Sequence, residues 1–353
     1  MAAASASSKR TFRRLQRVGK ATYSISLPKR WVVNRGLRPG DLLELDEDLD
    51  GSLRVTPLET RSKPPSCRID ADLYRDENVL RNIVKSSYRV GFDVIKIAYS
   101  QGSKLSFLRE LEKITRDLPG MELAGEKGGE ITLRYVLDHS RYSLDDLIHR
   151  EQILVSAILS NLIDFLETRK YDLIPYIRDL GARVEELSQL LTRLIITQLK
   201  RRELGRFLKP RSASHLYASI AMLTIMRHLT ADLLSLSEAL PKLRKKIWSN
   251  PEIYDALREG LRRSLQTFDE AMNAYFSMNF ERANQLLSLP SDHLSSEIEE
   301  LLGEKRPKDR ELSAFMIQLD IFLRKMIEEI KEVARLILDI STEVESRVCK
   351  AEV

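Results

Sequence analysis

The side chains best suited to chemistry are basic ones near the N-terminus. Residues 9–40 contain ten Lys or Arg and no Asp or Glu. Cationic side chains at this density bind phosphate oxygens through charge-assisted hydrogen bonds and by releasing condensed counterions. Because the residues of a strand alternate between its two sides, Arg13 and Arg17 are expected to project from one side of a strand predicted over 12–18. The pattern therefore predicts a surface that binds the phosphate backbone of DNA.

Two other interpretations of the basic segment stay open. In the first, the charges only keep a dimerisation module soluble, although ten cations without an acid are more than a solvated surface needs. In the second, the partner is RNA, whose binding modules usually stack bases on exposed aromatic side chains. The segment has no such string, and Tyr23 and Trp31 occupy apolar positions where a core role is expected. DNA is the preferred partner.

The net charge of the whole chain conceals this segment. The 353 residues include 57 Lys or Arg and 52 Asp or Glu, a net charge of +5, so residues 41–353 together carry −5. Charge that is segregated along a chain reports on its partners. A chain of this length is also expected to form more than one domain.

Cysteine usage and hydropathy indicate the compartment. Cys67 and Cys349 are too far apart for a disulfide framework or a paired zinc motif. Residues 1–8 are small and uncharged, unlike a secretory signal. Polar residues interrupt every apolar stretch before it reaches the roughly 18 residues of a membrane span. We expect a cytoplasmic protein that does not insert into membranes.

The basic residues belong to a small β module predicted over 9–58. Its four short strands, separated by turn signals, are predicted over 12–18, 21–27, 41–46 and 52–58. A short helix is predicted to begin at Pro28 and to end at Gly36. Such a module buries too little apolar surface to be stable alone, so we expect it to dimerise. A proline-containing linker is predicted over 59–70.

Three strings in this module resemble a known family. They are Arg-Arg-Leu-Gln-Arg-Val-Gly-Lys at 13–20, Tyr-Ser-Ile-Ser-Leu-Pro-Lys-Arg-Trp-Val at 23–32 and Leu-Arg-Pro-Gly-Asp at 37–41. The module resembles the AbrB/SpoVT family, which implies a small β-barrel made by two chains that exchange hairpins and offer basic residues to DNA. With the spacing argument, the predicted DNA-binding residues are Arg13, Arg14, Arg17, Lys20, Lys29 and Arg30.

The rest of the chain is predicted to be mainly helical. Residues 71–140 mix helical periodicity with short strands and form a predicted small α/β unit, with a helix predicted over 76–89 and a tight turn at Gly128 and Gly129. Apolar residues then recur at helical spacing in six stripes, three within 144–240 and three within 251–345, with a break between 241 and 251. Such stripes pack nearly antiparallel, so we expect two tandem three-helix bundles. The predicted fold class is multidomain and mainly α.

This order of parts also resembles a known family. With Tyr-Arg-Val-Gly-Phe-Asp at 88–93 and Pro-Gly-Met-Glu at 119–122, the chain looks like the PhoU family of phosphate-uptake regulators in its archaeal-type arrangement. The resemblance implies a helical body that senses or relays phosphate status through a phosphate transporter ATPase or a signalling protein. It also implies iron or zinc, held by acidic residues four positions apart on one helix face.

The metal motif is incomplete in this chain. His228 and Asp232 stand at its place in the first bundle, and Glu328 and Glu332 are the nearest acidic pair in the second, where Arg324 would repel a cation. A helix surface with ordinary ion pairs is the preferred interpretation, so no cofactor is expected.

The sequence offers little for catalysis. The five histidines form no His-Glu-x-x-His motif, and no Gly-x-x-x-x-Gly-Lys phosphate loop is present. We therefore expect a homodimeric, DNA-binding transcriptional regulator of phosphate uptake or homeostasis, and not an enzyme. The alternative is a PhoU-type adapter that does not bind DNA, in which the β module only dimerises the chain and the helices dock on a partner protein.

Overall fold

The structure is a computed structural model. It describes residues 11–47, 51–57, 64–74, 76–100, 104–138, 142–201, 212–296, 298–300 and 307–344. The chain divides into two compact units, Met1–Lys63 and Pro64–Val353. The prediction of a mainly helical chain with small sheets towards its N-terminus is confirmed.

The first unit contains two antiparallel hairpins with a short helix between them. Its elements are β1 (Gln16–Val18), β2 (Thr22–Ser24), α1 (Lys29–Asn34), β3 (Leu43–Glu47) and β4 (Leu53–Pro57). Gly36 follows α1 with a φ of +65°, the left-handed conformation that the predicted helix end requires. β1 and β2 are shorter than predicted, because each hairpin is a separate two-stranded sheet and no third strand extends the pairing in the described residues.

The second unit begins with a four-stranded sheet and two helices. The strands are β5 (Ser66–Asp70), β6 (Val94–Ala98), β7 (Met121–Lys127) and β8 (Glu130–Tyr135), and the helices are α2 (Glu77–Arg89) and α3 (Lys104–Arg116). The sheet order is β5-β6-β8-β7, in which only the β5–β6 pair is parallel. Ile95, Ile97, Ile131 and Leu133 are fully buried in the core of this part.

Strand β5 corrects the predicted linker. Residues 66–70, assigned to the linker from their proline and serine neighbours, pair with β6 along their whole length. The carbonyl oxygen of Pro65 also accepts hydrogen bonds from the backbone of Asp93 and Val94. A parallel partner lies far along the chain, so local composition does not reveal it. Cys67 therefore lies in a strand and not in a flexible segment.

The rest of the second unit is helical. Its helices are α4 (Leu144–Thr168), α5 (Leu173–Arg201), α6 (Ala213–Trp248), α7 (Pro251–Ser277), α8 (Phe280–Leu287) and α9 (Arg310–Val344). Side chains cap their N-termini where the sequence offers them: Ser143 for α4, Ser212 for α6 and Asn250 for α7. Among the described residues, no helix combines the length and the apolar composition that crossing a bilayer requires.

Two sets of helices share one core. α4, α5 and α6 pack against one another, as do α7, α8 and α9. α4 also packs on α7 and α6 on α9, so the buried side chains of both sets form one continuous cluster. The α6–α9 pair is antiparallel: Lys246 near the end of α6 pairs with Glu311 at the start of α9, and Ser214 donates its backbone N–H to Glu343 near the end of α9.

Two predictions about where helices continue and where they break are wrong. Pro241 lies inside α6 and does not end it. Its ring removes a hydrogen bond at a cost of about 3 kcal/mol, but the buried side chains of Leu240, Leu243 and Ile247 keep the helix packed. Leu286, Leu294 and Ile298 were predicted to share one helical stripe, but α8 ends at Leu287 and turns occupy residues 291–295.

Candidate functional site

The predicted DNA-binding residues occupy two places in the first unit. Arg17 and Lys20 lie on the β1–β2 hairpin, where Gly19 has a φ of +72° and Arg17 donates a 2.8 Å hydrogen bond to the carbonyl oxygen of Lys20. Lys29 and Arg30 form the first turn of α1, which contains no acidic residue. All six predicted residues are exposed.

The strand that was predicted to align Arg13 with Arg17 begins later than expected. β1 starts at Gln16, so Arg13 and Arg14 precede the regular strand. Arg13 and Arg17 therefore do not share a regular strand, and strand alternation does not place them on one side. Within the hairpin, Arg17 faces Tyr23 in the pairing register.

Apolar side chains are exposed beside the cations. They are Phe12, Leu15, Val18, Tyr23, Ile25, Val33, Leu42, Leu45 and Leu53. None of the side chains whose burial is described in the first unit is buried, and Trp31 is half-buried, so neither Tyr23 nor Trp31 is a core residue of a single copy. Nine exposed large apolar side chains in a unit with no buried side chain among those described indicate an interaction surface. The first unit therefore combines a cationic surface with an apolar one.

His228 and Asp232, two of the predicted metal ligands, bind side chains of α9. His228 Nδ1 lies 3.1 Å from Glu329 Oε1, and Lys325 Nζ lies 2.7 Å from Asp232 Oδ2. These contacts join α6 to α9 at half-exposed positions, where an ion pair contributes about 0–1 kcal/mol.

Glu328 and Glu332, the other two predicted ligands, pair along α9 itself. Lys331 and Arg335 lie 3.0 Å and 2.7 Å from their carboxylates. In the part of the chain that the structure describes, no three His, Cys, Asp or Glu side chains are grouped closely enough to hold a metal ion. In this arrangement the four residues do not form a ligand set.

Glu151 is a site that the sequence analysis missed. Its carboxyl lies fully buried on α4, and Ser188 of α5 donates a 2.7 Å hydrogen bond to Oε1. Oε2 has no hydrogen-bond partner among the described residues. Burial raises the pKa of Glu151 to about 8; the Ser188 hydrogen bond and the charge of Arg227 lower it, and the charge of Glu185 raises it. The carboxyl is therefore mainly protonated at neutral pH.

A signal for Glu151 was present in the sequence. It lies four residues after Leu147, three after Ile148 and four before Val155, all of which are buried. That spacing places Glu151 on the apolar side of its helix.

Arg193, which the sequence analysis also missed, connects α5 to the sheet. Its side chain is 2% exposed. Nη1 donates hydrogen bonds of 2.7 Å and 3.0 Å to the carbonyl oxygens of Tyr88 and Phe92, and Nη2 pairs with the carboxylate of Asp93. The guanidinium carbon lies 3.8 Å from the centre of the Tyr135 ring. One side chain thus links α5 to the end of α2, the start of β6 and the end of β8.

The loop between α2 and β6 is shaped for this contact. Gly91 has a φ of +92°, and a Cβ there would lie 2.6 Å from Thr197 Oγ1 on α5. Lys200 donates a 2.6 Å hydrogen bond to the carbonyl oxygen of Val90. Burial raises the pKa of Tyr88 and of Tyr135, so both rings stay neutral against the Arg193 guanidinium. Hydrogen bonds and close packing therefore join the sheet to the helical body.

The exposed cationic and apolar surface of the first unit is the best candidate for a binding site. No protein-family model, curated protein or solved structure matches this chain.

Proposed function

We propose that this protein is a homodimeric, DNA-binding regulator of phosphate uptake or homeostasis. The observation that carries the proposal is the exposure of all six predicted cations within a stretch, residues 9–40, that contains no acid. Cations that are not neutralised by neighbouring carboxylates release more counterions on binding the DNA backbone. Binding, not catalysis, is the role proposed for this surface.

Dimerisation of the first unit is the second part of the proposal. A unit with no buried side chain among those described gains little stability from its own contacts, and a second copy would cover the exposed apolar side chains. Exchange of hairpins into an AbrB/SpoVT-like barrel would do so and would bring about twenty positive charges together. The short α1, six residues long, favours electrostatic capture and shape recognition over a helix in the major groove.

The helical body is assigned the regulatory role. Two helix sets with a common core, joined to the α/β part by Arg193, support a PhoU-like arrangement in which a phosphate transporter ATPase or a signalling protein docks on the helices. Its link to phosphate status rests on the family resemblance.

A salt titration of DNA binding tests the first part. If a dimer neutralises about six phosphates, log affinity should fall with log salt with a slope near −5. The double variant Lys29→Ala, Arg30→Ala should bind more weakly and flatten the slope by about 1 for each phosphate that is no longer neutralised. Fluorescence anisotropy of a labelled duplex measures both quantities.

A matched variant separates local contact from net charge. Lys242→Ala, Lys245→Ala removes the same charge from exposed positions of α6 and should leave the affinity and the slope unchanged. Equal losses in both variants would contradict the assignment of Lys29 and Arg30. No DNA binding at all by the unaltered protein would favour the adapter.

The dimer has its own test. Leu45 is 61% exposed and faces Val55 across the β3–β4 hairpin. Leu45→Glu removes no buried side chain from a single copy but places a charge in the proposed interface, so the mass measured by light scattering should fall from two chains to one. Ile153→Glu, at a 51% exposed position of α4, is the control and should keep the wild-type mass. A single-chain mass for the unaltered protein would refute the dimer.

A further inference from the structure

A polar cleft lies between α7 and α8. α7 ends at Ser277, Met278 takes the left-handed conformation, and Asn279 caps α8, so the two helices form a tight hairpin. Between their facing sides is a cavity of about 410 Å³. That volume is within the usual range of small-molecule sites, about 300–1,000 Å³. We call it the α7–α8 cleft.

The lining of the α7–α8 cleft is mainly polar. Helices of a hairpin normally meet through apolar side chains. Here α7 contributes Glu259, Arg263, Gln266 and Glu270, which recur at helical spacing on the side that faces α8. Such a lining does not stabilise the hairpin by hydrophobic burial, and it presents polar groups to the cavity.

The charges of the cleft are balanced and already paired. Arg263 Nε lies 3.1 Å from Glu259 Oε1, and Arg282 of α8 pairs with Glu270. Arg282 also donates a 2.6 Å hydrogen bond to Gln285. The two guanidinium side chains are 36% and 40% exposed, so a ligand can reach them.

Charge balance decides the class of ligand. Separating an ion pair whose members are 34–43% exposed costs little, but a ligand of one sign gains only one charge contact for the one that it breaks. A ligand with one positive and one negative group can exchange with an ion pair and leave no charge uncompensated. We propose that the α7–α8 cleft binds a small zwitterion of the α-amino acid class.

The binding mode follows from the chemistry of the lining. The ligand carboxylate accepts hydrogen bonds from the guanidinium of Arg282, and its ammonium donates to the carboxylate of Glu270, the present partner of Arg282. Leu286 and Leu289 provide apolar contact for the ligand side chain. The site lies in the helical body, and it is proposed independently of DNA binding.

Calorimetric titration of the full chain tests the proposal. At least one of the standard L-amino acids should bind with a Kd below about 1 mM. Its N-acetyl derivative, which lacks the ammonium, and its methyl ester, which lacks the carboxylate, should each bind at least about tenfold more weakly. Absence of binding by every free amino acid would overturn the proposal, as would equal binding of either derivative or of inorganic phosphate.

Two variants locate the site, each with a neighbouring control. Arg282→Gln and Glu270→Gln should each weaken binding of the amino acid by at least about tenfold. Arg262→Gln, which removes a pair to Glu167 on α4, and Glu281→Gln, at an exposed position of α8, should bind as the unaltered protein does. Equal weakening in variants and controls would overturn the location. Circular dichroism of each variant checks that it is folded, and the derivatives test the proposal on the unaltered chain.

Discussion

Replacing Arg193 with alanine is expected to lower the free energy of unfolding by about 3–5 kcal/mol. The change removes the Arg193 donor from the carbonyl oxygens of Tyr88, which keeps the backbone N–H of Gly91, and of Phe92. It also removes the guanidinium that pairs with the carboxylate of Asp93. It also opens a cavity beside the Tyr135 ring. Because the Asp93 side chain is 25% exposed, water offsets part of its loss, and the buried carbonyl groups and the cavity account for the rest.

Urea unfolding followed by circular dichroism measures this effect. Arg183→Ala, an exposed position on the same helix, is the matched control and should change the free energy of unfolding by no more than about 0.5 kcal/mol. Arg193→Lys should lower the free energy of unfolding by an intermediate amount, because lysine keeps the charge but not the several N–H donors of the planar guanidinium. A decrease below about 1 kcal/mol for Arg193→Ala would show that the interface of α5 with the sheet does not depend on this side chain.

Glu151→Gln is expected to stabilise the protein by about 3 kcal/mol at pH 7. In the unfolded chain the carboxyl ionises near pH 4.3. In the folded chain burial raises its pKa to about 8. Between these two values the unfolded state releases a proton that the folded state keeps, so the contribution of Glu151 to stability falls as pH rises. Glutamine is neutral throughout and still accepts the hydrogen bond of Ser188.

The pH dependence distinguishes this cause from a packing effect. Unfolding free energies of the two proteins should agree near pH 4 and diverge steadily up to about pH 8, where the difference levels off. Glu238→Gln, at an exposed position of α6, is the control and should show no such divergence. A constant difference across this range would mean that Glu151 is ionised in the folded protein.

Elements whose signals are local were predicted well. The helix predicted over 76–89 is observed as Glu77–Arg89, capped by Asp76. Gly128 and Gly129 form the tight turn between β7 and β8 with φ values of +61° and +77°. Both depend on residues within a few positions of one another, which is the range over which caps and turns act.

Predictions were wrong where the structure of a segment depends on contacts with residues far along the chain. Strand β5 was assigned to a linker because its parallel neighbour, β6, follows only after a whole helix. α6 continues through Pro241 because buried side chains on both sides of it outweigh a local penalty. In both cases tertiary packing overrides local composition.

The segregation of charge, the mainly helical composition and most element types follow from residue type and short-range spacing, so they can be predicted without the structure. Only the tertiary structure showed that Arg193 and Glu151 are buried and that Arg282 meets Glu270 in a cleft. Arg193 and Tyr88 are 105 positions apart. A charged residue on a helix is exposed or buried according to what packs on that side, and that depends on chain folding over such distances.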